Sequence, residues 1–432
     1  MCIHRKEEGL FYRFHLSSFF IHPFSVTSHT SPRNLGWRVA LAGLGINLAL
    51  GVLYTWSMFK GAIEKDFGWK GDQLNDPYAL CCLIFAFAMI LAGRLQDKIG
   101  PRITATIGGV LVAAGMLLIS TTNNYTLWVI GFGVMVGTGI GFGYACATPA
   151  ALKWFPKAKT GMVAGIVVAG FGLAPVYLAP LSETLLKDFG ILKSMLILGT
   201  LFAVIVISLS QFLKNPPAVY VAETSAITNN TSTPMADLSP GQILSKGSFW
   251  LLWLLYFVGA GAGLMVIGSI SGMAKKSMGA SAFIAVAVLA IGNALGRVIA
   301  GSLSDKIGRR ATLLLVFLFQ ALLMLIAIPV TGGATTPGVL VLIAALIGAN
   351  YGANLSLFPS ITKDLWGLKN FGMNYGLVFT AWGMGGFVLS RVSQMLKASS
   401  GNFTSSFIVA GTLLIMGAGL TFLIKSPDSN TP

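Results

Sequence analysis

The chain has 432 residues, 55% of them hydrophobic and only 10% charged, where a soluble domain carries about 25% charged residues. That balance excludes an ordinary soluble protein and reads as a multi-pass protein of the cell (inner) membrane, embedded in the lipid bilayer. The formal net charge of +15 does not mark a nucleic-acid binder, because the bases fall in short clusters between apolar segments and form no phosphate-tracking stripe.

Residues 1–36 come first. The run Leu10 to Val26 is interrupted by Arg13, His15, His22 and Pro23, too often to span a bilayer, and it lacks a signal peptide's clean apolar region and cleavage site. A disordered cytoplasmic extension is expected, with an amphipathic surface anchor as the alternative. All four histidines lie here, Cys2 is terminal, and Cys81, Cys82 and Cys146 lie in apolar segments. With no ligand spacing among them, neither a metal nor a cofactor is expected.

Apolar segments long enough for a ~30 Å hydrocarbon core follow near 37–61, 77–96, 102–121, 125–148, 160–182, 190–213, 249–272, 281–303, 310–330, 337–358, 371–391 and 404–424. The expected fold is all-α and integral to the membrane, with twelve transmembrane helices in two pseudo-symmetric six-helix bundles at 37–213 and 248–425. A Pro-, Thr-, Ser- and Asn-rich linker at 214–247 joins them, and 426–432 form a tail. Lys and Arg concentrate in the loops after the even-numbered helices, for example Lys153, Lys157 and Lys159 or Lys306, Arg309 and Arg310. Both termini are therefore expected on the cytoplasmic side. A monomer is expected.

The halves repeat each other. GRLQDKIGPR (Gly93–Arg102) returns as GSLSDKIGRR (Gly301–Arg310), 208 residues later. Gly141–Tyr144 returns at Gly348–Tyr351 with offset 207, and GMVAG (Gly161–Gly165) returns as GMNYG (Gly372–Gly376) with offset 211. A near-constant offset across separate helices points to duplication of a six-helix unit, and such repeats with a midplane site between them are a transporter architecture.

Both copies of G-x-x-x-D-K-x-G-x-R fall in loops, where Gly100 and Gly308 permit a tight turn and Asp97 and Asp305 can cap the following helix or pair with nearby bases. Here the chain resembles the major facilitator superfamily, whose loop signature this is. The resemblance implies that Asp97, Arg102, Asp305 and Arg309 gate the cytoplasmic face without touching substrate; a loop that only turns and caps is the alternative. GVLYTWSMFK (Gly51–Lys60), FGW (Phe67–Trp69), LKWFP (Leu152–Pro156) and NYGANLSLFPS (Asn350–Ser360) look like the oxalate/formate antiporter family, a relative of the monocarboxylate transporters.

Arg297 lies inside the apolar run Ala282 to Leu303, where a charge costs about 2.5–3.5 kcal/mol on the mildest scale. It precedes Asp305 by eight residues, about 12 Å along a helix, which puts it near mid-bilayer. Its repeat counterpart is uncharged Met89, so the cation belongs to function and not to the duplicated scaffold. Asn293, one turn earlier on the same face, has Phe85 as counterpart. Together they suit a bidentate grip on one carboxylate. A structural ion pair is the alternative, but no Asp or Glu lies well inside any predicted helix, so the expected empty-state partners are Asn293 and water.

The family resemblance implies the same role, since a helix-8 arginine holds the substrate carboxylate in the monocarboxylate branch. Many relatives place an aspartate where this chain has Asn293, so a coupled proton would ride on the substrate's own carboxylate. Oxalate-type members carry a second cation on helix 11; in FTAWGMGG (Phe379–Gly386) Trp382 takes that place, which favours a monoanion. Tyr144, Tyr351, Asn350, Asn47 and Tyr54 are further substrate-contact candidates, each weighed against plain helix–helix hydrogen bonding, and Trp382 against packing.

The expectation is thus no enzyme, since paired acids, a nucleophile–base set and metal ligands are not visible at depth. It is a secondary transporter of small monocarboxylates (lactate, formate, acetate or pyruvate) working by alternating access, with proton coupling. Exchange of oxalate for formate is the alternative. A co-transported proton or a counter-anion is the expected partner besides the substrate.

Overall fold

Hydrophobic length decides the architecture. The computed structural model describes residues 34–217, 237–278, 282–332 and 336–424, and among them every regular element is helical. Helix α1 (Gly36–Leu50) passes through a 3-10 turn (Gly51–Thr55) into α2 (Trp56–Phe67), followed by α3 (Asp76–Ile99) and α4 (Pro101–Ser120). Next, α5 (Tyr125–Trp128) runs through a π segment (Val129–Val136) into α6 (Gly137–Leu152), and α7 spans Thr160–Ser210. The second part comprises α8 (Pro240–Leu244), α9 (Gly247–Met278), α10 (Ala282–Ile307), α11 (Arg309–Gly332), α12 (Pro337–Trp366), α13 (Phe371–Ser400) and α14 (Thr404–Leu420). The expected extension at 1–36, most of the linker and the tail at 426–432 lie outside the described residues, apart from 34–36 and the linker's two ends.

Ten of these helical stretches are long and apolar enough to cross a membrane. The 51 residues of α7 are two helices meeting at Gly190, whose φ of 69° and ψ of 176° are non-helical. Left unbroken, α7 would run about 77 Å, more than twice a hydrocarbon core. The 30-residue α13 is not among the ten; it carries Asn374, Thr380, Arg391 and Lys397.

Close backbone approach positions the centre. Helix α10 packs between α7 and α12, and α13 between α3 and α9. A methyl group on Gly165 of α7 would collide with the Arg297 carbonyl of α10, and one on Gly376 of α13 would meet the Met89 carbonyl of α3 at 2.5 Å. Gly165 and Gly376 are repeat counterparts, as are Arg297 and Met89. The same contact therefore occurs twice, once beside the cation and once beside a thioether. On α10, Leu295 and Ile299 are more than half exposed, suited to lipid, whereas Arg297 is 0% exposed.

Candidate functional site

Arg297 is held by neutral partners. Its Nε donates to Asn293 Oδ1 at 2.9 Å, the i, i+4 geometry expected from the sequence, and its Nη1 donates to the Val168 carbonyl of α7. Its Nη2 is buried and makes no hydrogen bond among the described residues. The ion pairs among the described residues are Asp305–Arg309, Asp364–Arg309 and Lys363–Asp364, and Arg297 takes part in none of them. An arginine cannot shed its charge, so this is a buried cation without a counter-charge, its side-chain neighbours Asn293 and Tyr54 both being neutral. Gly172 leaves the space beside it: a Cβ there would lie 3.3 Å from Asn293 Cγ and 3.4 Å from Arg297 Cζ.

At the repeat-equivalent interface stands an aromatic wall. Phe85 of α3 lies 5.2 Å from Phe379 and 5.4 Å from Trp382, ring centre to ring centre, and Phe379 stacks on Trp382 at 5.0 Å and 21°. Phe171 of α7 closes the box at 5.9 Å from Phe85 and 5.2 Å from Tyr54. By the repeat offsets, Phe85 replaces Asn293, Met89 replaces Arg297 and Phe379 replaces Val168. One pseudo-symmetric interface is polar and cationic; its twin is aromatic. Sequence reading found Phe85 only as a counterpart of Asn293 and missed Phe171 and Phe379. Carrying the inward-facing layer across the repeat was the signal that would have found Phe85 and Phe379.

The other candidates divide. Tyr54, in the 3-10 turn between α1 and α2, has its hydroxyl 3.2 Å from that of Tyr351, which also accepts from Trp382 Nε1 at 2.8 Å. These three form one chain reaching toward the guanidinium, whose charge acts on Tyr54, Tyr351 and Tyr144. Tyr144 packs edge-on against Phe85 and Phe171 at 5.4 Å, and its buried hydroxyl has no hydrogen bond. Asn47 instead donates to the Val167 carbonyl at 2.8 Å and ties α1 to α7. The Asn350 backbone carbonyl accepts from Asn354 Nδ2 at 3.1 Å, and its side-chain Oδ1 is buried and unpaired.

At the far end of α3 and α10, the motif aspartates do not cap the helices that follow them. The N-terminus of α4 has no side-chain cap and begins with Pro101, which has no N–H to offer. Asp97 reaches α13 instead, accepting from the Gly372 and Met373 amides at 3.2 and 3.0 Å. Asp305 reaches α7, accepting from Gly161 and Met162 at 2.9 and 2.8 Å. Each carboxylate thus caps a helix of the other repeat, where the free amides and the dipole favour a negative charge. Gly100 and Gly308 make the turns with φ of 90° and 89°.

The two ends are unequal. Arg309 binds Asp305 at 2.7 Å and Asp364 at 2.8 Å and donates to Ser304 and Thr160, while Lys363 Nζ donates to Thr160 at 2.9 Å. The repeat counterpart of Arg309 is Pro101, so Asp97 lacks this support. Arg102 stands apart from its predicted gating partners: exposed, it donates to Gln211, just past the end of α7, and its counterpart Arg310 lies over the exposed Phe422 ring. Lys153, beyond the end of α6, is the base that acts on Asp97; burial lowers its pKa and Asp97 opposes that shift.

Comparison with known proteins fits this arrangement. A model of the Major Facilitator Superfamily matches residues 39–390 and again 277–432. The oxalate:formate antiporter of Oxalobacter formigenes is 27% identical over 402 residues, covering 90% of this chain and 92% of that protein. Monocarboxylate transporter 13 of Rattus norvegicus is 25% identical over 392 residues, 89% of this chain and 88% of that one. Among solved structures, the proton:xylose symporter XylE superposes with a TM-score of 0.71 at 13% identity, over 91% of this chain and 96% of that one.

Proposed function

Because the chain belongs to the Major Facilitator Superfamily, we propose that it is a secondary transporter of small monocarboxylates, of the lactate, formate, acetate or pyruvate class, working by alternating access between two six-helix bundles. Twelve crossings follow if α7 counts as two and α13 is added to the ten apolar stretches. The distribution of Lys and Arg then puts the termini and the two aspartate caps on the cytoplasmic side.

One observation carries the substrate class: a buried guanidinium with no counter-charge and with Nη2 lacking a hydrogen bond of normal geometry among the described residues, whose repeat counterpart is an aromatic wall. A monocarboxylate satisfies both. Its oxygens accept from Arg297 and Asn293 as charge-assisted hydrogen bonds, and its short apolar body lies against Phe85, Phe379 and Trp382. Tyr54, Tyr351 and Trp382 supply a further polar edge. Among the described residues no Asp or Glu pairs with Arg297, so a transported proton travels on the substrate carboxylate itself. Oxalate exchanged for formate is the second reading, supported by the likeness to the Oxalobacter protein. A dianion calls for a second cation, and by the family resemblance Trp382 takes its place.

The test is uptake of labelled lactate, formate and oxalate into proteoliposomes, with and without an inward proton gradient. Saturable uptake of a monoanion, stimulated by the gradient, is expected. Stronger competition by oxalate than by any monoanion moves the assignment to the exchanger.

A further inference from the structure

Three buried tyrosine hydroxyls lie on the motif side of the aromatic wall and have no role so far. Tyr256 of α9, Tyr375 of α13 and Tyr144 of α6 are at most 2% exposed. None of the three hydroxyls has a hydrogen bond of normal geometry among the described residues. All three rings surround Phe379, at 6.1, 5.8 and 5.4 Å between centres. The Tyr375 hydroxyl is the middle member of a loose hydrogen-bonded row with those of Tyr144 and Tyr256, and Arg297 acts on it too. Three hydroxyls linked only to one another leave at least one O–H without an acceptor, which is unfavourable when buried, so the three converging from three helices make a donor set that a further acceptor would complete.

Their height in the fold says which acceptor. Tyr375 follows the Asp97-capped amides of Gly372 and Met373 by two to three residues and precedes Trp382 by seven, about 10 Å along the helix. The cluster therefore lies between the wall and the Asp97 cap, on the way out of the central site toward the motif side. Phe379 packs between Trp382 and the rings of Tyr256 and Tyr375.

We propose that Tyr144, Tyr256 and Tyr375 form a second, transient carboxylate station, to which the substrate passes from Arg297 before release on the motif side. The inference rests on the transport reading above. Neutral O–H donors hold a carboxylate without an opposing charge, so this station binds more weakly than Arg297 and speeds departure from it. Tyr144, which also borders Phe85 near the cation, is the member shared by both stations.

The experiment compares wild type with Tyr256→Phe, Tyr375→Phe and the double variant, each keeping its ring. Equilibrium binding of labelled L-lactate to purified protein and maximal uptake rate in proteoliposomes are both measured. The station requires affinity to stay within about threefold while the maximal rate of the double variant falls about tenfold. An unchanged rate in all three variants overturns it. An affinity loss matching the rate loss also overturns it, by placing these hydroxyls in the central site. Should the double variant misfold on size exclusion, the single variants carry the same comparison. Absence of uptake of lactate, formate and oxalate by wild type refutes the transport reading and the station together, whereas wild-type uptake with unaffected variants refutes the station alone.

Discussion

Arg297 and Asn293 share a 2.9 Å hydrogen bond from Nε to Oδ1, and that bond fixes the guanidinium plane while Nη2 stays buried without a hydrogen bond of normal geometry among the described residues. Asn293 is thus a positioning residue as well as a candidate ligand. Replacing it by aspartate puts an acid where the amide was and gives Arg297 an internal counter-ion. Uptake by Asn293→Asp is expected to fall about tenfold at neutral pH and to recover as pH drops, because only the protonated acid releases the guanidinium. The neighbouring charge favours the ionised form, so recovery lies well on the acid side. A pH profile of uptake parallel to wild type contradicts this arrangement.

If Trp382 takes the place of the second cation that the family resemblance implies for oxalate-type members, a lysine there completes a dianion site. Trp382→Lys is expected to raise the potency of oxalate as an inhibitor of lactate uptake by about tenfold or more. It also loses the bond to the Tyr351 hydroxyl, so lactate affinity falls. Inhibition curves for oxalate and acetate, measured side by side, separate a gain in dianion binding from general damage.

Gly165 and Gly376 hold matched backbone contacts, against the Arg297 and Met89 carbonyls respectively. Gly165→Ala and Gly376→Ala are each expected to destabilise the protein by about 1–3 kcal/mol through overpacking. Gly165→Ala also displaces the guanidinium and so reduces uptake more than its twin does. Thermal unfolding in detergent together with uptake rates distinguishes the two effects.

The two aspartate caps differ in strength. Asp305→Ala removes two amide caps and one of the two carboxylates of Arg309, a buried-pair disruption costing about 3–5 kcal/mol. Asp97→Ala removes two amide caps and the weaker attraction to Lys153, and no buried ion pair, about 0.5–2 kcal/mol. Opening of the motif side is read from maleimide labelling of Ser360→Cys, a buried position on α12, in a background without the native cysteines. Labelling is expected to rise in both variants and more in Asp305→Ala; equal rates contradict the asymmetry.

Much of this was legible in sequence, for identifiable reasons. Arg297 announced itself because a charge in an apolar helix is expensive, and Asn293 because helical periodicity puts it on the same face. The Val168 carbonyl was not legible, since a backbone acceptor leaves no side-chain signature. Nor were the cap targets. From sequence Asp97 and Asp305 cap the helices next in sequence or pair with nearby bases; Asp305 does pair with Arg309, but the free amides both aspartates meet belong to helices brought near only by packing of one repeat on the other. Arg102 was grouped with Arg309 although the repeat register pairs it with Arg310 and pairs Arg309 with Pro101. Phe85 and Phe379 were hidden in another way: an aromatic residue in an apolar helix carries no signal until its counterpart is known to be polar.

The most direct test of the account is labelled L-lactate uptake by proteoliposomes containing wild type, Arg297→Lys or Arg297→Ala, at matched protein content. The account predicts saturable wild-type uptake and a loss of at least about a hundredfold in both variants. Lysine keeps the charge but not the fork that binds a carboxylate while holding Asn293 and the Val168 carbonyl. Wild-type rates in Arg297→Lys and Arg297→Ala would contradict it.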